Sequence, residues 1–182
     1  MAHIAVLGLG NWGSAIARLW LLEGHKVKGW TIEQEVYESI TMEGMNHKYL
    51  PDHSLDGLEA TMHVEEALEG SEIIVLAVPS SVILDVVEDI IPHLRPGHVL
   101  LDLAKGLAPG KRLISEAIHQ MLDDNNMHNP LAVLTGPTIA PEAAGGVMTT
   151  ALVASEDVSV AENLASTLTT PTFILHPASD PV

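Results

Sequence analysis

Short apolar runs recur along the chain and alternate with segments of helical periodicity. Most of these runs are continuous rather than alternating, which is typical of strands that are covered on both faces. We therefore predict seven buried strands, each bounded by polar or turn-forming residues. They are Ile4–Leu7, Val27–Trp30, Ile73–Val78, Val99–Leu103, Leu131–Leu134, Ala151–Ala154 and Phe173–Leu175.

Three segments between these runs place apolar residues three and four positions apart, as on one face of a helix. They are residues 12–22, 82–91 and 113–122. Strand, helix and strand in this order predict an α/β fold, in which helices cover both faces of a mostly parallel sheet. We expect one domain over residues 1–182, and a loop at residues 49–58, which contain Pro51, Ser54 and Gly57.

The first predicted strand leads into the pattern G-x-G-x-x-G, at Gly8, Gly10 and Gly13, and a helix follows. In this context Gly8 permits a tight turn, Gly10 lets a pyrophosphate approach the backbone, and Gly13 lets helix and strand pack closely. The N-terminus of that helix offers N–H groups and a partial positive charge to phosphate. The alternative is a turn that only connects strand to helix. Because the motif stands at the first strand–helix junction, we favour a Rossmann-type, doubly wound dinucleotide-binding fold.

The end of the second predicted strand normally decides which dinucleotide binds. An acidic side chain there accepts hydrogen bonds from the ribose 2′-hydroxyl, whereas a basic one suits a 2′-phosphate. Glu33 lies about twenty residues after Gly13, near the expected offset, and no Arg or Lys occurs between Lys28 and Lys48. This pattern favours NAD over NADP as the cofactor. The alternative is that Glu33 and Glu35 only begin a solvated helix, where acids suit the helix dipole.

The charge of the chain excludes several classes of partner. Eight Lys and Arg stand against 24 Asp and Glu, so the formal net charge is −16. Such a chain repels phosphate backbones and anionic membranes, and we expect neither nucleic acid nor a membrane as a partner. There is no Cys, and the ten His show no metal-binding spacing, so we expect no thiol chemistry and no metal site. The N-terminus lacks the pattern of a signal peptide, and we expect the protein in the cytoplasm.

Several further segments keep their order and spacing over nearly the whole chain. They are Ile4–Ala15, Gly24–Val27, Asn46–Pro51, Ala77–Ser80, Lys105–Leu107, Ser115–Glu116 and Gly136–Glu142. In these segments the sequence resembles the NAD(P)-dependent glycerol-3-phosphate dehydrogenases. The Lys-Gly pair at Lys105 and the Gly-Pro-Thr-x-Ala-x-Glu pattern at Gly136 are the most specific matches. That family interconverts dihydroxyacetone phosphate and sn-glycerol 3-phosphate by hydride transfer with a nicotinamide.

The resemblance implies cofactor contacts at particular residues. Asn11 and Trp12 would contact the pyrophosphate, and Lys105 and Ala140 would contact the cofactor further along the site. Pro79 would border the nicotinamide half. An alternative for this last segment is that one of the two serines after Pro79 caps the next helix.

For a small phosphorylated substrate, the resemblance implies contacts from Lys105, Gly136 and Thr138. Lys105 would lie between cofactor and substrate, where its ammonium offsets negative charge. The hydroxyl of Thr138 would donate to a substrate oxygen. The alternatives are an ion pair of Lys105 with Asp102, and a capping role for Thr138 with Glu142 nearby.

Two departures from the family bear on function. Many bacterial members carry Arg or His after the tryptophan of the second strand, whereas this chain has Ile32, as in members that use NAD and pack an apolar residue beside adenine. The family's all-helical carboxyl domain, with its Gly-Gly-Ala-x-Lys-Asn segment and catalytic Lys, is absent from the sequence. The resemblance therefore implies no catalytic residue in this chain. Because hydride transfer needs a placed proton donor, we predict dinucleotide binding with little or no turnover.

Two other functions stay open. One is the first domain of another dehydrogenase, of the ketopantoate or β-hydroxyacid type, which shares the glycine loop. The other is a non-catalytic module that binds a dinucleotide or pairs with a separate helical subunit. Absence of the helical domain would also leave an apolar surface, and we expect this surface to support association, for example as a homodimer.

Overall fold

The computed structural model describes residues 1–179, which form one large sheet, two short hairpins and seven α-helices. The strands are β1 (His3–Leu7), β2 (Lys26–Trp30), β3 (Met45–Asn46), β4 (Leu50–Ser54), β5 (Glu59–Thr61), β6 (Ile73–Leu76), β7 (Val99–Asp102), β8 (Leu107–Ala108), β9 (Arg112–Leu113), β10 (Leu131–Thr135), β11 (Thr149–Ala154) and β12 (Phe173–Ala178). The helices are α1 (Asn11–Leu22), α2 (Gln34–Glu43), α3 (Val64–Leu68), α4 (Ile83–Ile90), α5 (Ile114–Asp124), α6 (Ala140–Ala144) and α7 (Val158–Leu168). The last three residues of the predicted 1–182 domain, Asp180, Pro181 and Val182, lie outside the described residues. Within the described range, no helix has both the length and the apolar character that a membrane crossing requires.

Six strands of the large sheet run parallel, in the order β5-β2-β1-β6-β7-β10. At the far edge, β11 pairs antiparallel with β10, and β12 pairs parallel with β11. The chain winds from β1 outward to β5, returns past β1 to β6, and then winds outward in the other direction. This is a doubly wound, Rossmann-type sheet, so the predicted α/β fold with a mostly parallel sheet is confirmed.

Neighbouring residues of the central strands face opposite layers of helices. In β1, Ile4 and Val6 pack into one buried cluster, whereas Ala5 and Leu7 pack into the other. Helices α1, α2, α6 and α7 cover the first face, and α3, α4 and α5 cover the second. Both faces exclude water, which is why these strands show continuous apolar runs in the sequence.

All seven predicted strands and all three predicted helices are present, with ends that shift by a few residues. Helix α4 ends where a 3₁₀ turn containing Pro92 begins, because proline cannot continue the helical hydrogen bonding. The pattern missed β5, which has only three residues. The loop predicted at residues 49–58 is wrong in part, since β4 pairs with β3 there. Its burial is irregular, so no apolar alternation revealed this strand.

The carboxyl ends of β1 and β6 lie side by side at the point where the winding of the sheet reverses. Helix α1 leaves β1 toward one face, and α4 leaves β6 toward the other, so that a crevice opens between them. Ligands of open α/β sheets bind in such a crevice. The fold therefore places the glycine pattern, which follows β1, at the edge of this crevice.

Candidate functional site

The turn between β1 and α1 is so closely packed that two of its positions require glycine. Gly8 has a φ of +106°, and a Cβ added there would lie 2.8 Å from the carbonyl oxygen of Ala77. A Cβ on Gly13 would lie 1.8 Å from the carbonyl oxygen of Gly8, because α1 packs directly on the turn. At Gly10, by contrast, a Cβ would have no heavy atom of residues 1–179 within 4 Å beyond its chain neighbours and its own helix. Gly8 and Gly13 thus shape the turn, whereas Gly10 faces open space.

The first turn of α1 is suited to an anion. Gly10 is the N-cap with extended backbone, and no side chain in the described part of the molecule caps this helix. The turn carries no acidic residue, although the whole chain has a net charge of −16. The N–H groups of Asn11, Trp12 and Gly13 have no intrahelical acceptors, as at any helix start. A pyrophosphate fits here, because N–H donors, the positive end of the helix dipole and the space over Gly10 coincide.

A cleft of about 490 Å³ continues from this turn across the carboxyl ends of β6 and β7. It is lined by Gly10, Asn11, Trp12, Ala77, Val78, Pro79, Ser80, Leu103, Ala104, Lys105, Thr138 and Ala140. Seven of these are site residues that the sequence analysis singled out, and they come from four separate segments of the chain. The fold therefore brings the glycine turn, the end of β6, the end of β7 and the end of β10 to one cleft.

The Trp12 side chain belongs to the core as well as to the cleft. Its ring meets the ring of Phe173 on β12 edge to face, with centroids 5.9 Å apart and planes at 71°. This contact fixes the indole against the sheet. The backbone N–H of Trp12 lies in the first turn of α1, where it can donate to a ligand.

Lys105 is exposed at the rim of the cleft. The ion pairs within 4 Å in residues 1–179 join other residues, so the alternative pairing of Lys105 with Asp102 is wrong. Asp102 is instead buried, and one carboxylate oxygen accepts a hydrogen bond of 2.8 Å from the N–H of Ala104. Burial raises the pKa of the Asp102 carboxyl to about 6. The hydrogen bond between Asp102 and Ala104 closes a short turn, which leads from β7 into the segment that carries Lys105.

The two helix-capping alternatives are wrong as well. Helix α6 has Ile139 as its N-cap, and helix α4 has Val82, each without a side-chain cap among the described residues. Thr138 and Ser80 line the cleft instead. Both residues are thus placed where a ligand, rather than a helix end, can contact them.

Gly136 does not line the cleft. A Cβ there would lie 3.1 Å from the Cα of Ala151, so this glycine lets the end of β10 approach β11 closely. The geometry accounts for glycine at this position by strand packing. The substrate contact expected of Gly136 stays a prediction.

Glu33 stands at the N-cap of α2 and is held by two residues that are distant in sequence. Its carboxylate accepts a hydrogen bond of 2.5 Å from the Lys48 ammonium and one of 2.8 Å from the Tyr49 hydroxyl. These hydrogen bonds, that of Lys48 above all, hold the pKa of the Glu33 carboxyl below its ordinary value. Glu33 and Glu35 do begin α2, as the alternative predicts, and Glu33 is in addition fixed. Beside it, Ile32 is 75% exposed, an apolar surface at the end of β2.

Sequence reasoning missed the residue that places Lys48 and Tyr49. Asn46 is fully buried, and its amide nitrogen donates to the carbonyl oxygen of Leu9 and to the hydroxyl of Ser14, each at 2.9 Å. Its side-chain oxygen accepts a hydrogen bond of 3.1 Å from the N–H of Tyr49. Asn46 therefore ties the β3–β4 hairpin to the glycine turn. Its only sequence signal is the Asn-His-Lys-Tyr segment, whose spacing does not indicate a buried amide.

A second groove, of about 410 Å³, lies at the opposite edge of the sheet. Its lining includes Ala2, Glu72, Val99, Asn163 and Thr167, at the amino ends of the strands and along α7. Open α/β sheets bind ligands at the carboxyl ends of their strands, so we assign a dinucleotide to the first cleft. In residues 1–179, no group of three or more His, Asp or Glu side chains could hold a metal ion.

A doubly wound sheet, a glycine turn shaped for pyrophosphate and a cleft at the reversal of winding together define a Rossmann-type dinucleotide-binding domain. Comparison with known proteins gives the particular family. Residues 3–161 match the model of the family described as NAD-dependent glycerol-3-phosphate dehydrogenase N-terminus. The chain belongs to this family.

Individual relatives agree with this assignment. A glycerol-3-phosphate dehydrogenase (NAD(P)+) of Halothermothrix orenii is 35% identical over 181 residues, which are 99% of this chain and 52% of that protein. One of Syntrophotalea carbinolica is 33% identical and matches 98% of this chain and 54% of that protein. The crystal structure of glycerol-3-phosphate dehydrogenase from Coxiella burnetii superposes with a TM-score of 0.88 at 30% identity, over 98% of this chain and 54% of that one. The chain thus spans about half the length of the relatives that it matches.

Proposed function

We propose that residues 1–182 form the dinucleotide-binding domain of a glycerol-3-phosphate dehydrogenase, and that this domain binds NAD in preference to NADP. The observation that carries the proposal is the single cleft shared by the glycine turn, Pro79, Lys105, Thr138 and Ala140. The family match favours this function over the first domain of another dehydrogenase and over a non-catalytic module. The reaction of the whole protein is then hydride transfer between a nicotinamide and dihydroxyacetone phosphate or sn-glycerol 3-phosphate.

The pyrophosphate would be held by the turn after β1. Gly8 and Gly13 shape this turn, and the space over Gly10 admits the phosphates. The N–H groups of Asn11 and Trp12 would donate to phosphate oxygens, aided by the dipole of α1. This arrangement suits an acidic protein, because it holds the phosphates with backbone groups rather than with many basic side chains.

The two ends of the cofactor would meet different surfaces. At the adenosine end, Glu33 would accept a hydrogen bond from the ribose 2′-hydroxyl, and the exposed face of Ile32 would pack beside adenine. At the nicotinamide end, Pro79 and Ala140 line the cleft. NADP is disfavoured, because its 2′-phosphate would meet the carboxylate of Glu33.

On the substrate side, the nicotinamide supplies or accepts the hydride when it is bound. The exposed ammonium of Lys105 would lie between cofactor and substrate and offset the charge of substrate oxygens. The hydroxyl of Thr138 would donate to a substrate oxygen, and Gly136 would contact the substrate through its backbone. The lysine segment that the resemblance gives as the proton donor of the family has no counterpart in these 182 residues. We therefore propose that the chain alone turns over little or no substrate.

Calorimetric titration with NADH and with NADPH tests the binding proposal, and a glycerol 3-phosphate assay with NAD on the same sample tests the lack of turnover. We expect NADH to bind more tightly than NADPH, with no measurable oxidation. Binding of neither dinucleotide would contradict the proposed function. Ready oxidation of glycerol 3-phosphate would instead show that a proton donor lies within this chain.

We further propose that the chain self-associates through exposed apolar side chains between β10 and β12. Ile139, Val147, Met148 and Leu152 are large apolar residues with exposed side chains in this part of the molecule. Clustered exposed apolar surface favours association in water. The cytoplasmic location expected from the sequence stays a prediction.

A further inference from the structure

The Lys48 ammonium lies between two carboxylates at the start of α2. It donates to Glu33 at 2.5 Å and also to Glu35. The side chains remain accessible to solvent, with exposed fractions of 43% for Lys48, 32% for Glu33 and 64% for Glu35. One cation therefore serves two anions on the surface, and the cluster carries a net charge of −1.

The backbone beneath this cluster is anchored, whereas the Lys48 ammonium stands at the end of a long side chain with several rotatable bonds. The buried amide of Asn46 bonds to the carbonyl oxygen of Leu9 in the glycine turn and to the backbone N–H of Tyr49. Lys48 lies between Asn46 and Tyr49, so its Cα is held at a fixed place beside the turn. A lysine ammonium has three rotatable donors and can change partners without a movement of the backbone.

The cluster lies at the end of β2, beside the glycine turn. The N–H of Gly8 donates to the carbonyl oxygen of Trp30 at 3.0 Å, and Glu33 follows three residues later. In a Rossmann-type domain this end of the second strand faces the adenosine ribose, where an acidic or a basic side chain decides between 2′-hydroxyl and 2′-phosphate. Here an acidic and a basic side chain are both present, paired with each other.

We infer that Lys48 is able to bind the 2′-phosphate of NADP, and that Glu33 and Glu35 prevent this binding because they hold its ammonium in ion pairs. This inference rests on the proposed function, because it concerns the same cofactor site. A ribose 2′-hydroxyl is neutral and donates to Glu33, so NAD leaves the ion pairs intact. A 2′-phosphate carries about −1.5 to −2 charges at neutral pH and would face two carboxylates while the ammonium of Lys48 is engaged by them. The pair of glutamates, rather than a lack of basic residues, thus sets the preference for NAD.

The test neutralises both glutamates without changing their shape, in the double variant Glu33→Gln and Glu35→Gln. Calorimetric titration should show that NADPH binds roughly tenfold more tightly than to the wild type, as expected for one new charge-assisted hydrogen bond. NADH should bind a few-fold more weakly, since an amide is a poorer acceptor for the ribose hydroxyl. Glu35→Gln alone should give a smaller gain for NADPH, because Glu33 still holds Lys48. All substituted side chains are on the surface, and thermal unfolding checks that each variant is folded.

A third substitution decides whether Lys48 is responsible. Adding Lys48→Met to the double variant should remove the gain for NADPH, whereas adding Lys26→Met, at the amino end of β2, should leave it. A gain that survives Lys48→Met, or a double variant that binds NADPH no better than the wild type, overturns the inference. If the wild type binds NADH in the same experiment, the proposed function stands and only the role of Lys48 fails. If the wild type binds neither dinucleotide, the result contradicts both the proposed function and the role of Lys48.

Discussion

Three glycines in the turn after β1 serve two different purposes. Gly8 and Gly13 are required by the protein itself, since a Cβ at either position meets backbone atoms at 2.8 Å or less. Gly10 is not required by any described protein atom, since its Cβ position is open. Glycine is therefore required by the fold at Gly8 and Gly13, whereas at Gly10 it leaves space for a ligand.

This difference predicts opposite outcomes for two variants with the same chemical change. Gly13→Ala should destabilise the fold by about 1–3 kcal/mol or more, because the new methyl group overlaps the carbonyl oxygen of Gly8. Gly10→Ala should leave the melting temperature nearly unchanged and weaken NADH binding roughly tenfold or more, because the methyl group occupies the phosphate position. Thermal unfolding and NADH titration of both variants measure these effects. Equal NADH affinity of Gly10→Ala and the wild type would contradict the phosphate site.

Asp102 gives a prediction about pH. Burial raises the pKa of its carboxyl from 3.8 to about 6 in the folded state. The folded state therefore prefers the protonated carboxyl, and its contribution to the free energy of unfolding is fully present below pH 4. That contribution is lost as pH rises through 6, since the unfolded state releases the proton more readily. At about 1.36 kcal/mol per pKa unit, the charged carboxylate costs roughly 2–3 kcal/mol at pH 7.

Asp102→Asn removes this titration and keeps an acceptor for the N–H of Ala104. The variant should be more stable than the wild type at pH 7, by up to roughly 3 kcal/mol, and this advantage should shrink toward pH 4. Urea unfolding of both proteins across this range measures the difference. A stability difference that is the same at pH 4 and pH 7 would show that Asp102 does not titrate as described.

At the element scale, the β3–β4 hairpin is held in place by a polar residue rather than by an apolar face. Asn46 satisfies the carbonyl oxygen of Leu9 and the backbone N–H of Tyr49, and so joins the hairpin to the glycine turn. Most residues of β4 are not buried. The position of Lys48 and Tyr49 beside Glu33 therefore depends on one buried side chain.

Asn46→Ala should destabilise the protein by about 1–3 kcal/mol, because it leaves buried polar groups without a partner. It should also weaken NADH binding, since the hairpin loses its connection to the turn. Asn125→Ala is the matched control: Asn125 is exposed, and its amide donates to the carbonyl oxygen of Met121 on α5, so its loss should cost about 0.5 kcal/mol or less. Chemical unfolding of the two variants makes the comparison, and equal losses would refute the anchoring role.

Much of this arrangement is visible in the sequence, and the reason is burial. Strands covered on both faces are apolar at every position, so β1, β6 and β7 stand out, and the glycine spacing marks the turn. The three-residue β5 and the hairpin β3–β4 bury too little to leave a pattern. Glu33 and Lys48 are 15 residues apart in sequence, and the buried Asn46 brings them together. Their pairing therefore could not be predicted from a local sequence pattern.

At the scale of the whole molecule, charge and apolar surface have opposing effects. The net charge of −16 repels other copies of the chain, whereas Ile139, Val147, Met148 and Leu152 expose apolar surface. Salt screens the repulsion but not the apolar contact, since the Debye length falls to about 10 Å at 0.1 M ionic strength. Association should therefore increase with salt.

Sedimentation velocity at low and high salt tests this expectation. We expect a concentration-dependent shift to dimers or larger species at high salt, and a smaller shift when Val147 and Met148 are both replaced by Ser. Glu23→Gln, at the end of α1, removes one negative charge and no apolar surface, and so serves as a control for the electrostatic part of the effect. A monomer at every concentration and salt level would contradict association through this surface.

We propose above all that the dinucleotide binds across the carboxyl ends of the parallel strands. Backbone amide NMR of the chain, titrated with NADH, tests it at each residue. We expect the largest shifts at Gly10, Asn11 and Trp12, with smaller ones at Lys105. If the amides of the glycine turn do not shift, or if the largest shifts occur at Asn163 and Thr167 in the opposite groove, the proposed binding site is contradicted.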